Sequence, residues 1–134
     1  MNLDKDRLEE LMAKILIVDD SEVSREKVKV LLTQKGHQVI TADNGEEGVR
    51  CAKKNPAISL IIADVNMPDM DGVTMCEEIK RIENYKLPPV LMFTARTNEE
   101  IKARAKAVGV KGWILKPFDE IVLAEVVEQV LKGA

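Results

Sequence analysis

Cysteine is scarce in this sequence. The two present, Cys51 and Cys76, lie far apart and match no metal-binding or redox spacing. They read as small apolar residues of reduced helices. The single histidine, His37, stands beside Gly36 at a predicted helix end and reads as a surface loop residue. An excess of one charge is also missing: the formal net charge is only -3, which marks no nucleic-acid binder. No apolar run approaches the ~20 residues that a membrane span requires, and the N-terminus lacks a secretory signal. The glycine-lysine signature of a P-loop is absent, which excludes nucleotide binding of that kind. These absences predict a cytoplasmic protein without membrane or nucleic-acid partners.

What is present is a single ordinary domain of 134 residues, 46% hydrophobic and 32% charged. Residues 1–13 form an N-terminal extension in which Leu3, Leu8, Leu11 and Met12 sit among charges, with Asp4 as a candidate helix cap. Residues 14–132 then alternate two periodicities. Ile15–Val18 is β-branched and unbroken, and ends on Asp19-Asp20. Ser21 caps a predicted helix to Lys35, closed by Gly36. Gln38–Thr41 is a short second strand, and Asn44-Gly45 turns into a helix that Pro56 stops. Ile58–Asp64 is the third strand, followed by a turn-rich loop and a helix from Gly72 to Ile82. Val90–Thr94 is the fourth strand, Asn98–Val108 a helix, Gly112–Leu115 the fifth strand, and Asp119–Lys132 a richly apolar last helix. Five strands alternating with helices predict an α/β fold with a parallel sheet and helices on both faces. No linker, low-complexity segment or second domain interrupts it.

Right-handed crossovers place all strand C-termini on one rim, where open α/β sheets carry their ligand chemistry. The strand ends are Asp19-Asp20, Asp64, Thr94 and Lys116-Pro117. Each has a bland reading alone: a solvated turn, a strand-end hydroxyl, a surface lysine. Together they converge three carboxylates, a hydroxyl and an ammonium on one small patch. Clustered carboxylates repel by a few kcal/mol at a protein-like dielectric constant, a cost of order 332/(εr) that a divalent cation removes. Magnesium suits the set because it prefers one or two carboxylates plus a phosphate. A hydroxyl and a lysine opposite suit the peripheral oxygens of a phosphoryl group, for which Asp64 can be the nucleophile.

The segments Ile17-Val18-Asp19-Asp20-Ser21, Asp64-Val65-Asn66-Met67-Pro68-Asp69-Met70-Asp71-Gly72, Thr94-Ala95 and Lys116-Pro117-Phe118 resemble the receiver domain of two-component response regulators, over about residues 14–132. With no output domain in sight, the chain most resembles the single-domain, CheY-like chemotaxis regulators. The resemblance implies a doubly wound five-stranded parallel sheet of order 2-1-3-4-5. It makes Asp64 the phospho-acceptor, fed by a histidine kinase or a small phosphodonor. It has Asp20 bind Mg2+ directly, Asp19 largely through water, and the backbone carbonyl of Asn66 as a further ligand. Thr94 would hydrogen-bond the phosphoryl oxygen, Lys116 would neutralise its charge, and the bond before Pro117 would be cis. Trp113 falls where the family keeps a switching aromatic, usually tyrosine or phenylalanine. Asn66 and Arg96 fall where residues tune loss of the phosphoryl group. The implied output face is helix 98–108, strand 112–115 and helix 119–132, with a target such as the flagellar switch.

Two other readings follow from the same residues. A phosphorelay intermediate or another receiver output needs no different site. An aspartyl-phosphate phosphatase of the haloacid-dehalogenase type needs a second acid two residues after the nucleophile, where this chain has Asn66, and a substrate-enclosing cap, of which it is short.

Overall fold

The structure is a computed structural model and describes residues 13–95 and 98–133. The expectations for the extension before Ala13 and for Arg96 lie outside the described residues. Five strands and five helices alternate: β1 (Lys14–Val18), α1 (Glu22–Gln34), β2 (Gln38–Ala42), α2 (Gly45–Lys54), β3 (Leu60–Asp64), α3 (Gly72–Lys80), β4 (Val90–Thr94), α4 (Glu99–Val108), β5 (Val110–Leu115) and α5 (Glu120–Gly133). The strands form one parallel sheet in the order β2-β1-β3-β4-β5, the order implied by the resemblance.

The three central strands are buried on both faces, which explains why they read as unbroken apolar runs rather than alternating ones. Their side chains divide between two cores. Leu16, Val18, Ile61, Ala63, Val90 and Met92 face α2, α3 and α4, whereas Ile15, Ile17, Leu60, Ile62, Leu91 and Phe93 face α1 and α5. Each fully buried Leu, Ile or Phe contributes about 1.5–3 kcal/mol relative to exposure. Helix starts are set by side-chain caps: Ser21, Asn44, Asp71 and Asn98 each accept a hydrogen bond from the amide three residues on. Asp119 receives the amides of Ile121 and Val122 at the start of α5. At the end of α4, Gly109 takes φ 103°, the left-handed conformation in which its amide reaches back to Ala105 and Lys106.

Several local expectations are corrected. The third strand begins at Leu60; Ile58 is buried, but its amide closes a turn onto the carbonyl of Asn55. α3 ends at Lys80, and Ile82 packs from the following turn. β5 starts earlier, at Val110, because its pairing with β4 shifts register between Val90 and Leu91. Of the apolar residues of α5 only Leu123 and Val127 are buried; Ile121 stays 72% and Val122 50% exposed, since one stripe of a helix suffices to cover a sheet. His37 is a buried residue, not a surface one. Its Nδ1 accepts the amide of Ala13 at 3.1 Å, so the ring ties the start of β1 to the end of α1. Cys76 is buried and Cys51 half-buried; burial pushes the Cys76 thiol up to about 12, which keeps it protonated.

Candidate functional site

The rim holds the predicted constellation. Asp19 immediately follows β1 and is fully buried, Asp20 beside it is exposed, and Asp64 ends β3 with only 6% of its surface accessible. Carboxylate oxygens from the three aspartates lie within 4.8 Å of one another. Lys116, one residue past β5, lies across this cluster. Its Nζ donates to Asp19 Oδ2 at 2.8 Å and to Asp64 Oδ2 at 3.0 Å. The peptide bond from Lys116 to Pro117 is cis. The next residue, Phe118, stacks on Phe93 with ring centroids 5.3 Å apart, which fixes the chain just beyond the lysine.

The other oxygens of Asp19 and Asp64 are also engaged. Asp19 Oδ1 accepts the amide of Ser21 at 2.9 Å, and Asp64 Oδ1 accepts the amide of Asn66 at 3.1 Å. The exposed Asn66 places its side-chain amide 3.4 Å from the hydroxyl of Thr94, which is fully buried at the end of β4. Thus Asp19, Asp20, Asp64, Asn66, Thr94 and Lys116 meet, although they come from four strand ends. Trp113 does not join them. It lies half-buried on β5, paired with Met92 of β4, and packs on the side of α2, α3 and α4.

The electrostatics follow from geometry. Burial raises the Asp64 carboxyl above the ordinary aspartate range; the Lys116 hydrogen bond and charge pull the other way, and the Asp19 charge adds to the rise. Burial alone would lower the Lys116 ammonium, but its bonds to Asp19 and Asp64 outweigh that and hold it above an ordinary lysine. The cation is therefore fixed as a cation. A site with three acids and one lysine has carboxylate charge left over, which suits a hard divalent ion with oxygen ligands. The residues present fit magnesium.

Three further polar residues, which hold the surrounding helices and loop, were not singled out by the sequence. Asp71, at the end of the loop after Asp64, caps α3 and also accepts the hydroxyl of Thr74 at 2.9 Å. Its place before an apolar helix was the available signal. Arg25 donates from α1 to the carbonyl of Asp19 at 2.7 Å, and Arg104 reaches from α4 to Thr74 and Glu77 of α3 at 2.9 and 2.8 Å. No sequence pattern announces either arginine, because both partners are set by tertiary packing. Among the described residues, no helix is long and apolar enough to cross a membrane.

Comparison with known proteins agrees with this architecture. Residues 15–128 match the response regulator receiver domain. The chain is 35% identical over 119 residues to a chemotaxis protein CheY homolog of Campylobacter jejuni, covering 88% of this chain and 92% of that protein. It is 33% identical over 122 residues to the protein PilH of Pseudomonas aeruginosa, covering 91% of this chain and all of that one, 100%. The solved structure of the Vibrio cholerae chemotaxis protein CheY4 superposes with a TM-score of 0.82 at 40% identity, over 89% of this chain and 98% of that one. The chain belongs to the response regulator receiver domain family.

Proposed function

We propose that this chain, a receiver domain homologous to chemotaxis regulators, accepts a phosphoryl group on Asp64 from a histidine kinase and thereby switches the binding of a partner. The observation that carries this reading is the bridge of Lys116 between Asp19 and Asp64, beside Asp20 and across from Thr94. Asp64 is the nucleophile: a carboxylate oxygen forms the new bond to phosphorus as the bond from phosphorus to the donor's imidazole nitrogen breaks, and the electron pair stays with that nitrogen. Asp20, Asp64 and the carbonyl of Asn66 would hold Mg2+ directly, with Asp19 acting largely through water. When bound, that ion supplies charge neutralisation at the phosphoryl oxygens.

Lys116 is the residue whose partners change. Before transfer its ammonium is shared by two carboxylates; afterwards a phosphoryl group carrying ≈ −1.5 to −2 charges competes for it. The Thr94 hydroxyl is drawn to the same oxygens. Both pulls act on the ends of β4 and β5, and hence on the face of α4, β5 and α5, and Trp113 of β5 would report or transmit the change. Arg96 and Asn66 would set how long the phosphoryl group lasts. A chemotaxis output such as the flagellar switch fits the CheY relatives, and a phosphorelay step or another receiver output would use the same site. The cytoplasm is the compartment for such a kinase substrate. A turnover phosphatase is disfavoured because Asn66 stands where the second acid is needed.

Incubation with acetyl phosphate and magnesium, followed by intact-mass measurement, tests the reading. One phosphoryl adduct is expected on the parent and none on Asp64→Asn. An adduct of equal yield on the variant refutes the assignment.

A further inference from the structure

Two adjacent carboxylates of the rim are held in opposite ways. Asp19 is fully buried, and each of its polar groups has a partner. Its amide donates to Ala42 of β2 at 3.2 Å, Oδ1 accepts the Ser21 amide, Oδ2 accepts Lys116, and the carbonyl oxygen accepts Arg25. Asp20 is exposed, and among the described residues its carboxylate has no hydrogen-bonding or ionic partner. Where that carboxylate points is decided by the backbone that carries it and by its own rotamer.

That backbone is held on both sides of Asp20. The peptide unit before it is fixed through the Asp19 carbonyl, which accepts Nη1 of Arg25 at 2.7 Å. The unit after it is fixed through the Ser21 amide, which donates to Asp19 Oδ1 at 2.9 Å. Arg25 also donates its own amide to the carbonyl of Ser21 at 2.9 Å, but that is the ordinary bond of a helix and survives substitution. The guanidinium bond reaches back six residues from the half-buried side chain and needs the arginine. It is charge-assisted, the stronger kind of hydrogen bond.

A cation is an unexpected neighbour for a site that suits a cation. Lys116 already stands among three carboxylates, and a second positive group beside them repels an incoming divalent ion. The guanidinium, however, is turned to a carbonyl oxygen and leaves both carboxylate oxygens of Asp20 available. We infer that Arg25 is a positioning residue for metal binding: it fixes the peptide leading into Asp20 so that this carboxylate stands ready for Mg2+. The inference rests on the magnesium part of the function proposed above and not on phosphoryl transfer.

Calorimetric titration of the full chain with magnesium chloride tests it, because charge and positioning act with opposite signs. Arg25→Met keeps the aliphatic stem and removes the donor. Acting only as a charge, the guanidinium would weaken magnesium binding, and its loss would tighten it. Acting through Asp20, its loss should weaken binding ~10-fold, as loss of a partner behind a metal ligand does. Arg25→Lys, which keeps a cationic donor, should recover part of the difference. Binding by Arg25→Met as tight as the parent's, or tighter, overturns the inference and leaves the proposed function standing. A parent that binds no magnesium overturns it together with the magnesium part of that function. A second measurement needs no ion. In EDTA the Ser21 amide should exchange its hydrogen faster in Arg25→Met, while the amides of β3 keep the parent's rates. Unaltered exchange at Ser21 overturns the inference, as does faster exchange throughout the sheet, which would make Arg25 a general support of the fold.

Discussion

The first residue of α3, Gly72, lies directly against the backbone of Asp64: a Cβ added there would meet the Asp64 carbonyl oxygen well inside van der Waals contact. The same glycine donates its amide to the carbonyl of Val65 at 3.1 Å. The loop of residues 65–71 thus leaves the site and returns to it within one turn. Asp69 at φ 68° supplies a left-handed step on the way.

Gly72→Ala should therefore damage both stability and chemistry. The neighbour is backbone and cannot rotate away, so α3 or Asp64 must shift. Overpacking of this kind costs about 1–3 kcal/mol. Urea unfolding should show that loss, and phosphoryl uptake from acetyl phosphate should fall in the fraction that stays folded. An unchanged midpoint and uptake would mean the contact is slack.

Asp64→Asn should stabilise the protein when cations are removed. Burial and the Asp19 charge disfavour the ionised Asp64, and the amide relieves both while keeping the shape. In EDTA the melting temperature should rise by several degrees, as about 1 kcal/mol does for a domain of this size. Magnesium should then narrow the gap, because the parent gains more from binding the ion. A variant less stable than the parent in EDTA would show that the Lys116 bond to Asp64 outweighs its burial.

His37 makes stability depend on pH in a defined direction. Burial lowers its pKa below the ordinary 6.5, with Glu128 opposing, and the Nδ1 acceptor for Ala13 exists only in the neutral ring. A folded pKa below the unfolded one means that the stabilisation is complete above pH 6.5 and is lost as pH falls through 6.5 towards the folded value. Between about pH 7.5 and 5.5 the parent should lose more stability than His37→Gln, measured by urea midpoints. Parallel pH profiles would remove His37 from the account.

Arg104 joins α4 to α3 through Glu77, Thr74 and, at 3.8 Å, Asp71. All three ionic side chains are about one-third exposed, so solvent limits the gain. Arg104→Ala should cost up to about 1 kcal/mol, with Arg104→Lys in between because an ammonium cannot fork across several acceptors. The loss should shrink as salt approaches about 1 M, where the Debye length is ~3 Å. A cost independent of salt would point to lost packing of the side chain instead.

Much of this was legible in the sequence. The central strands announced themselves because burial on both faces demands unbroken apolar runs, and each run ended on a polar residue that proved to stand on the rim. The cap Ser21 was local chemistry and was read locally, whereas Asn98 and Asp119, read as first helical residues, stand one residue outside α4 and α5 as their caps. What escaped was settled by distant partners. His37 is buried only because β1 begins beside it, Arg104 spans two helices, and nothing local in residues 110–115 betrays the register shift.

That shift, beside Lys111, sets a phase. Val110 and Trp113 share the face of α2, α3 and α4, although alternation alone would put residues three apart on opposite faces. One uncounted residue resets the alternation before the strand reaches the rim. Deleting Lys111 would restore plain alternation, with Val110 and Gly112 following Val90 and Leu91 in step, so Trp113 should keep its face and Lys116 its reach to Asp64. The extra residue is taken up at the far end of the strand and leaves the ammonium where it was.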